Sequence, residues 1–276
     1  MEIRYSPDPA HFCRMTTQEV RGTFLIESLF HPDSIDMVYS EIDRVIVGSA
    51  VPGRKPLELT SADELRADYF CQRRELGVLN IGQAGAVTVD GKKYAMANLD
   101  CLYIGRGSKE ISFASDDSAH PARFYLLSYP AHKEYPTSHI QISQASPIHL
   151  GSMEESNKRT IYKCIHPDGV KSCQLVMGFT LLEDGCVWNT MPAHTHERRT
   201  EVYMYFNMPE NARVFHFTGP PKETRHIAVA NGQVVISPSW SIHAGVGTSS
   251  YTFCWGMGGE NQKFDDMDHL GVVDIQ

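Results

Sequence analysis

The sequence predicts a mainly β fold, in which antiparallel strands form a sandwich or barrel with a few short helices. Short runs of Val, Ile, Tyr and Phe alternate with Gly, Asp, Asn and Pro along most of the 276 residues, and no long helical pattern separates them. A faint repeat, NLDCLYIGRG (98–107) and NGQVVISPSW (231–240), favours a duplicated unit. The proline-containing stretch 130–158 is the candidate boundary between two domains.

The elements follow from local patterns. TTQEVRGTFLIESLF begins with Thr16 and Glu19 at the spacing of a capping box, and TSADELRADYF repeats that spacing with Ser61 and Glu64, so both segments are predicted helices. Asp-Gly in VDGK (89–92) predicts a hairpin turn, because both positions tolerate positive φ angles. The clearest predicted strands are GAVTV, KKYAM, DCLYI, ARFYLLSY, RTIYKCI, CQLVMGFTLL, ARVFHFTG, GQVVISP and SYTFCWGM.

Composition excludes several partners. The formal net charge is -8, which disfavours nucleic acid, because backbone binding requires clustered Lys and Arg. No apolar run approaches the roughly 20 residues of a membrane span, and MEIRYSPDPAHF lacks the apolar centre of a signal peptide. The seven scattered cysteines form no C-x-x-C pair, so we expect free thiols and a cytoplasmic protein.

MPAHTHERRTEVYMYF (191–206) carries the strongest chemical signal. His194 and His196 would project to one face of a strand, and a polar turn at 197–200 would bring Glu201 back to that face. A fourth ligand is predicted at His243, in the pattern Gly-x5-Pro-x4-His that starts at Gly232. Three His and one Glu suit Zn, Mn, Fe or Ni, with room for water or substrate. The alternative is a set of surface histidines in loops.

These two elements resemble the paired motifs of cupins, H-x-H-x4-E and G-x5-P-x4-H. The glycine that usually stands six residues before the first His is replaced by Trp188, and the nearest glycine is Gly185. GCVWNTMPAHTHERRTEVYMYF, ETRHIAV, ISPSWSIHAGVGT and WGMGGENQKFDDMDH are similar to the 5-keto-4-deoxyuronate isomerases of pectin and glycosaminoglycan breakdown. LNIGQAGAVTVDGKKYAMANLDCLYIGRG extends the resemblance to essentially the whole chain.

The resemblance implies two cupin-type antiparallel β-barrels in one chain. Residues 1–145 would form a barrel without the metal motif, and residues 146–276 would form the metal-binding barrel. It further implies one zinc ion per chain, a homo-hexamer and a small anionic sugar substrate, with neither nucleic acid nor membrane as partner. The metal ligands carried over are His194, His196, Glu201 and His243.

The reaction implied converts 5-dehydro-4-deoxy-D-glucuronate to 3-deoxy-D-glycero-2,5-hexodiulosonate by a metal-assisted enediol mechanism. It turns an aldehyde at C1 and a hydroxyl at C2 into an alcohol and a ketone. The metal would stabilise the charge on the two oxygens, while a base moves a proton from C2 to C1. The sequence leaves that base open among Tyr205, Glu260 and the acids of DDMD (265–268), and a hydride shift is the alternative.

The substrate carboxylate requires a cationic partner. Arg159 and Lys163 share one face of the predicted strand RTIYKCI (159–165) and are the first candidates. Arg225 is a further candidate, and Trp240 could form a wall of the pocket. Arg198 and Arg199 compete for the carboxylate, or support subunit contacts. Two other functions use the same features: an iron cupin dioxygenase, and a non-catalytic cupin that binds sugar acids.

Overall fold

A computed structural model describes residues 1–145, 147–263 and 265–276 of the chain. The strands are β1 (Glu2–Arg4), β2 (Leu25–Ile26), β3 (Ser34–Ser40), β4 (Ile46–Val51), β5 (Leu57–Glu58), β6 (Arg74–Asn80), β7 (Gly85–Val89), β8 (Lys92–Met96), β9 (Cys101–Ile104), β10 (Ile111–Ser115), β11 (Phe124–Pro130), β12 (Ser138–Ile140), β13 (Ile148–Leu150), β14 (Arg159–Ile165), β15 (Val176–Leu182), β16 (Trp188–Asn189), β17 (His194–Thr195), β18 (Arg199–Phe206), β19 (Val214–Thr218), β20 (Arg225–Val229), β21 (Val234–Ser237), β22 (Ala244–Gly247), β23 (Thr252–Gly259) and β24 (Asp268–His269). The α-helices are α1 (Pro9–Phe12) and α2 (Thr17–Phe24), and single 3₁₀ turns span Ile42–Arg44, Asp63–Leu65, Phe70–Gln72, Ile142–Gln144 and Val272–Asp274. None of the helices in these described ranges is long and apolar enough to cross a membrane.

The first of the two predicted helices forms and the second does not. The side chain of Thr16 accepts a hydrogen bond from the Glu19 amide, and the Glu19 carboxylate accepts one from the Thr16 amide, so the predicted capping box is confirmed. Residues 60–70 contain only short 3₁₀ turns. The first of them ends at Arg66, whose φ of 45° is left-handed and cannot continue a right-handed helix.

The chain forms two compact units. Unit 1 contains Met1–Arg4, Ser28–Ala145 and Cys164–Val176. Its larger sheet has the order β1-β3-β4-β11-β6-β9-β12, and its smaller sheet has the order β5-β10-β7-β8. Apolar side chains from both sheets form one buried core, to which β6 contributes Leu76 and Val78, and β7 contributes Val87 and Val89. The predicted hairpin joins β7 to β8, with positive φ at both Asp90 and Gly91.

Unit 2 contains Tyr5–Glu27, Ser146–Lys163 and Met177–Gln276. Its larger sheet has the order β13-β14-β15-β23-β18-β21-β2, its smaller sheet has the order β16-β22-β19-β20, and β17 pairs with β24. Every residue of β18 is buried, because this strand lies in the interior of the larger sheet, between β23 and β21. The chain passes between units near the predicted boundary at 145/146. Two segments depart from the predicted halves. Residues 5–27 belong to unit 2 although they lie in the predicted N-terminal domain, and residues 164–176 belong to unit 1 although they lie in the predicted C-terminal domain.

The two units have corresponding strand orders. β6 occupies the place of β18, β9 that of β21, and β10 that of β22. The faintly repeated segments 98–107 and 231–240 contain β9 and β21, so the duplication they suggested is present in the fold. The mainly β class is confirmed, and most of the strand pairs are antiparallel, whereas β1 pairs with β3 in parallel. Within the described residues, however, the sheets are open and not closed into barrels, because the outermost strands of the two sheets in a unit are not hydrogen-bonded to each other.

Candidate metal centre

The four predicted ligands come from three segments of unit 2. His194 lies on β17, Glu201 on β18, and His243 immediately before β22. His196 stands between β17 and a turn at 197–198, which is the predicted polar turn. The turn does not close a hairpin of β17 with β18, because β17 pairs with β24 and places His194 opposite His269.

The ligand atoms of these residues converge on one point. Glu201 Oε2 lies 2.9 Å from His196 Nε2 and 2.8 Å from His243 Nε2, and the Nε2 atoms of His243 and His194 are 2.9 Å apart. All four ligand atoms lie within 4.8 Å of one another, and all four residues are buried. One ion with bonds of about 2 Å could contact all of them. The donor set of three imidazoles and one carboxylate therefore fits a divalent transition metal.

Neighbouring groups orient the candidate ligands and shift the pKa values of three of them. Nδ1 of His196 donates a 2.9 Å hydrogen bond to the carbonyl oxygen of Arg199, which directs Nε2 at the ligand group. Burial opposes protonation of His196, but the hydrogen bond between its Nε2 and Glu201 outweighs it and raises the pKa of His196 when no metal is bound. Burial lowers the pKa of His194 to about 3 and keeps this imidazole neutral at physiological pH. Burial opposes ionisation of Glu201, but the charge of His243 and hydrogen bonds from His196 and His243 outweigh it and hold the pKa of Glu201 well below its usual value. Neutral imidazoles and an ionised carboxylate are the forms that bind a metal.

A cavity of about 520 Å³ opens on the ligands. His194 and Glu201 line it together with a largely apolar wall that includes Tyr203, Phe253 and Trp255. Gly178 on β15 makes room for Trp255, since a Cβ atom at this glycine would lie 2.4 Å from the indole ring. The Trp255 indole nitrogen donates a 3.1 Å hydrogen bond to the Thr180 hydroxyl, which fixes the ring as part of the wall. The cavity size is within the usual range for small-molecule sites.

Polar side chains stand at defined places on this wall. Arg159, on β14, lines the cavity and is half-buried, and its Nη1 donates to the carbonyl of Asn157 at 2.9 Å. The hydroxyl of Tyr203 lies 2.9 Å from the Thr190 hydroxyl. Burial, reinforced by the charge of Glu201, raises the pKa of Tyr203 well above its usual value, so this phenol keeps its proton. The cavity thus offers one permanent cation and a neutral hydroxyl beside the ligand group.

The other predicted substrate residues lie outside the described lining of this cavity. Lys163 shares β14 with Arg159 but does not reach the wall. Arg225 donates from Nη2 to the carbonyl of Cys13 at 2.8 Å. Trp240 packs edge-on against Phe12, with ring centroids 5.3 Å apart. The aromatic contact makes Trp240 part of an apolar cluster.

The candidate bases from the sequence are also away from the cavity lining. The Tyr205 hydroxyl is buried and lies 2.8 Å from Nδ1 of His216, although Tyr205 shares a strand face with Glu201. Glu260 is exposed to solvent. Asp266 and Asp268 of the DDMD segment accept hydrogen bonds from the guanidinium of Arg198, which lies in the turn. Arg199 is the buried first residue of β18.

Several cavity residues, among them His269, Thr180 and Trp255, are not indicated by the sequence. His269 lines the cavity from β24, and its ring centroid is 6.1 Å from that of His194. Thr180 and Trp255 reach the wall from β15 and β23. Strand alternation placed Tyr203 on the face of Glu201, but nothing in the local pattern indicated which tyrosine borders the cavity. His269 depends on the pairing of β17 with β24, for which the sequence has no local signal.

Comparison with known proteins places this geometry in context. The profile of the KduI/IolB family matches residues 25–272. A 4-deoxy-L-threo-5-hexosulose-uronate ketol-isomerase from Caldicellulosiruptor bescii is 55% identical over 276 residues, covering all of both chains. Among solved structures, an IolB-like protein from Salmonella typhimurium LT2 matches with a TM-score of 0.73 and 15% identity, over 90% of this chain and 97% of that one. A variant of Bacillus subtilis oxalate decarboxylase matches with a TM-score of 0.61 and 12% identity, over 87% of this chain and 78% of that one. These two structural matches carry information on the fold alone.

Proposed function

The chain belongs to the KduI/IolB family, and on that basis we propose that it is a ketol-isomerase of uronate catabolism. The proposed reaction converts 5-dehydro-4-deoxy-D-glucuronate to 3-deoxy-D-glycero-2,5-hexodiulosonate. The single observation that carries the proposal is the convergence of His194, His196, Glu201 and His243 beside a cavity, in a chain 55% identical throughout to a protein of that name.

We propose zinc as the resident ion, bound by these four side chains with one ion per chain. Imidazole and carboxylate ligands suit zinc, and no electron is transferred in the reaction, so a redox-active metal is not required. The ion would supply a Lewis acid for the oxygen atoms at C1 and C2 of the sugar. The protein supplies the three imidazoles and the ionised carboxylate that would hold it.

The cavity wall orients the substrate. Arg159 is the cation that would bind the carboxylate at C6, because a guanidinium can donate two parallel hydrogen bonds to a carboxylate. The protonated hydroxyl of Tyr203 would donate to a sugar oxygen near the ligand group. The aromatic wall of Phe253 and Trp255 excludes water and strengthens these polar contacts.

A proton must leave C2 and another must be delivered to C1. Tyr203 and His269 are proton-bearing side chains that line the cavity beside the ligand group, whereas the sequence candidates Tyr205 and Glu260 do not belong to its described lining. We therefore infer that the transfer uses His269, whose imidazole can accept the proton from C2 and return it at C1, whereas the protonated Tyr203 phenol can only donate a hydrogen bond. Proton transfer by such a group requires hydrogen-bond reach of the carbon that reacts.

The experiment mixes the protein with 5-keto-4-deoxyuronate in D₂O and follows the product by NMR. We expect the ketose to form, with deuterium at C1 if the proton exchanges with solvent along an enediol route. Product without deuterium would indicate either a hydride shift or a proton transfer that is shielded from solvent. No product from protein that holds its metal would contradict the proposed function, and oxygen uptake would indicate the dioxygenase.

Two further proposals concern assembly, which follows from the family resemblance, and location, which follows from the cysteines. We propose a homo-hexamer, which analytical ultracentrifugation of the purified chain would test. We also propose a cytoplasmic location, where the seven cysteines, which are free thiols throughout the described chain, would remain reduced.

A further inference from the structure

We propose that a second pocket, in unit 1, binds a tetrahedral dianion, either free phosphate or the phosphoryl group of a small molecule. The pocket has a volume of about 250 Å³ and is lined by Arg44, Arg73 and Arg74, together with Tyr39 and Glu64. We call it the arginine pocket. All five residues belong to unit 1, and the pocket shares no residue with the metal centre. The inference therefore does not depend on the proposed isomerase activity.

Arg74 is the innermost cation of the arginine pocket, with only 6% of its surface exposed. Its Nε donates to the Ser128 hydroxyl at 3.1 Å, and its Nη2 donates to the carbonyl oxygens of Ser128 and Arg44. These acceptors fix the direction of the guanidinium but carry no negative charge. Within the described residues, Nη1 of Arg74 has no hydrogen-bond partner.

The other two arginines are likewise without a neutralising acid. Nη2 of Arg73 donates to the carbonyl oxygens of Leu65 and Arg66, both at 2.6 Å. Among the ion pairs of the described residues, none involves Arg44, Arg73 or Arg74.

Acids near the pocket are already engaged elsewhere. Glu64 lies 3.0 Å from the amino nitrogen of Met1. Glu75 follows Arg74 in sequence, but its carboxylate accepts hydrogen bonds from the Tyr103 hydroxyl and from the amides of Cys173, Gln174 and Leu175. Neither carboxylate forms an ion pair with an arginine of the pocket, although the nearby charge of Glu75 partly offsets the cost of burying the charged Arg74.

A buried charge without a counter-ion is unfavourable, and an anion in the pocket would remove that penalty. Burial lowers the pKa of Arg74 to about 10, so the guanidinium is still charged at neutral pH. The backbone that carries Arg44 is also held in an unusual conformation beside the arginine pocket. Asp43 and Arg44 adopt left-handed φ angles of 46° and 52°, which L-residues disfavour, and the Arg44 carbonyl is held there by Arg74.

Size and charge define the ligand. The volume is below the roughly 300 Å³ at which sites for whole drug-sized molecules begin, so an inorganic ion or one terminal group fits better. Guanidinium groups match the geometry of oxyanions. Three of them against one engaged acid favour a dianion such as phosphate over a single carboxylate.

The test measures the binding of inorganic phosphate by isothermal titration calorimetry at constant ionic strength, with the metal-loaded chain. Constant ionic strength is needed because salt screens such contacts. We expect saturable binding by the unmodified protein, and about tenfold weaker binding by Arg44→Ala and by Arg73→Ala, since a hydrogen bond to a charged group is lost. Arg54→Ala removes an exposed arginine of unit 1 outside the pocket and is the matched control, with an expected change below about twofold.

Further variants separate the arginine pocket from other anion sites. His243→Ala removes a metal ligand, and we expect it to retain phosphate binding. Arg74→Met should abolish binding if it folds, while the two exposed arginine variants keep the test decisive if it does not. Loss of phosphate binding in His243→Ala, unchanged binding in both Arg44→Ala and Arg73→Ala, or no saturable binding by the unmodified protein would each overturn the proposal.

Two further ligands define the chemical class. Acetate should bind at least tenfold more weakly than phosphate, and equal affinity would overturn the assignment of a dianion. Glycerol 3-phosphate tests the source of the phosphoryl group. Binding as tight as that of phosphate supports a phosphorylated metabolite as the ligand, and weaker binding supports the free ion.

Discussion

Units 1 and 2 place the same strands in the same order, yet their central strands carry different side chains at matching points. Glu201 of β18 pairs with Ser237, the last residue of β21, and Leu76 of β6 pairs with Ile104, the last residue of β9. Glu201 belongs to the candidate metal centre, whereas Leu76 belongs to the apolar core. The fold supplies the position, and the residue at that position determines whether it packs or coordinates.

A second matching point shows the same difference. His243 directly precedes β22, and Glu110 directly precedes β10, the corresponding strand of unit 1. His243 is buried and directed at the ligand group, while Glu110 is exposed. Leu76 at the first matching point and the exposed Glu110 at the second explain why unit 1 has a packed apolar core at the place where unit 2 has the candidate metal centre.

The largest effect is expected when a candidate ligand is removed from unit 2, because unit 2 then loses the feature that distinguishes it from unit 1. We expect His243→Ala to reduce bound metal from about one ion per chain to below about a tenth, and to reduce kcat/KM at least about 10³-fold, because the Lewis acid is lost. Elemental analysis and the isomerase assay measure the two effects. Hydrogen exchange in unit 1 should stay unchanged.

The matched control for that variant is His226→Ala. His226 is an exposed histidine of β20 in unit 2 and is not a ligand. Metal content and activity should remain within about twofold of the unmodified protein. Full activity in His243→Ala, or an equal loss in His226→Ala, would contradict the assignment of the ligands.

The converse change introduces a carboxylate, like that of Glu201, at the matching position of unit 1. Leu76→Glu buries a carboxylate among apolar side chains, with no imidazole to share its charge. We expect the free energy of unfolding of unit 1 to fall by about 3–5 kcal/mol, as for an uncompensated buried charge. Leu76→Met, which conserves volume and polarity, should cost less than about 1.5 kcal/mol.

The two units can be observed separately in this experiment. All three tryptophans, Trp188, Trp240 and Trp255, lie in unit 2, so tryptophan fluorescence reports that unit. Hydrogen exchange along β6 reports unit 1. If Leu76→Glu left exchange along β6 as slow as Leu76→Met does, the apolar environment inferred for this position would be wrong.

A smaller effect is expected when the positive charge of Arg159, which lines the cavity, is removed. Arg159→Met keeps an apolar stem but removes the charge, so KM should rise about 10- to 100-fold with little change in kcat, as for the loss of a charged hydrogen bond made equally in the ground and transition states. Lys163 lies four residues after Arg159 on the same face of β14 but outside the cavity lining. The KM of Lys163→Met should therefore change less than about twofold. A larger effect for Lys163 than for Arg159 would move the carboxylate site.

The convergence of His194, His196, Glu201 and His243 could be predicted from the sequence because their spacing reflects local geometry. The two-residue step between His194 and His196, the turn before Glu201 and the proline before His243 all act over a few residues. The wall of the cavity was harder to predict, since Trp255 and His269 reach it through pairing between distant strands.

Local periodicity also has limits of its own. Alternation put Tyr203 and Tyr205 on one face but could not show that only the first borders the cavity. The open sheets and the exchange of segments 5–27 and 164–176 depend on long-range packing, which no short pattern encodes. Ser61 and Glu64 have the capping spacing of a helix, yet the left-handed conformation at Arg66 ends the helical segment after one turn.

The smallest expected effect concerns acid stability. The described buried histidines, His194, His196, His216 and His243, all lie in unit 2. Burial, reinforced by the charge of His243, lowers the pKa of His216 from 6.5 to about 3. Between these two pH values the unfolded chain binds a proton at His216 that the folded chain does not, so the free energy of unfolding falls as the pH falls.

We therefore expect His216→Gln, which replaces the imidazole by an uncharged amide, to be less sensitive to acid than the unmodified protein. Well below pH 6.5, the difference in unfolding free energy between the two metal-free proteins should shift in favour of the variant by about 1.4 kcal/mol per pH unit. Above pH 7 the difference should be constant, because neither state binds the proton there. Urea titrations followed by tryptophan fluorescence measure this in unit 2, and hydrogen exchange along β6 should show no such shift in unit 1. A constant difference from pH 7 to pH 4.5 would mean that His216 titrates alike in the folded and unfolded states, and would contradict its assignment as a source of acid sensitivity in unit 2.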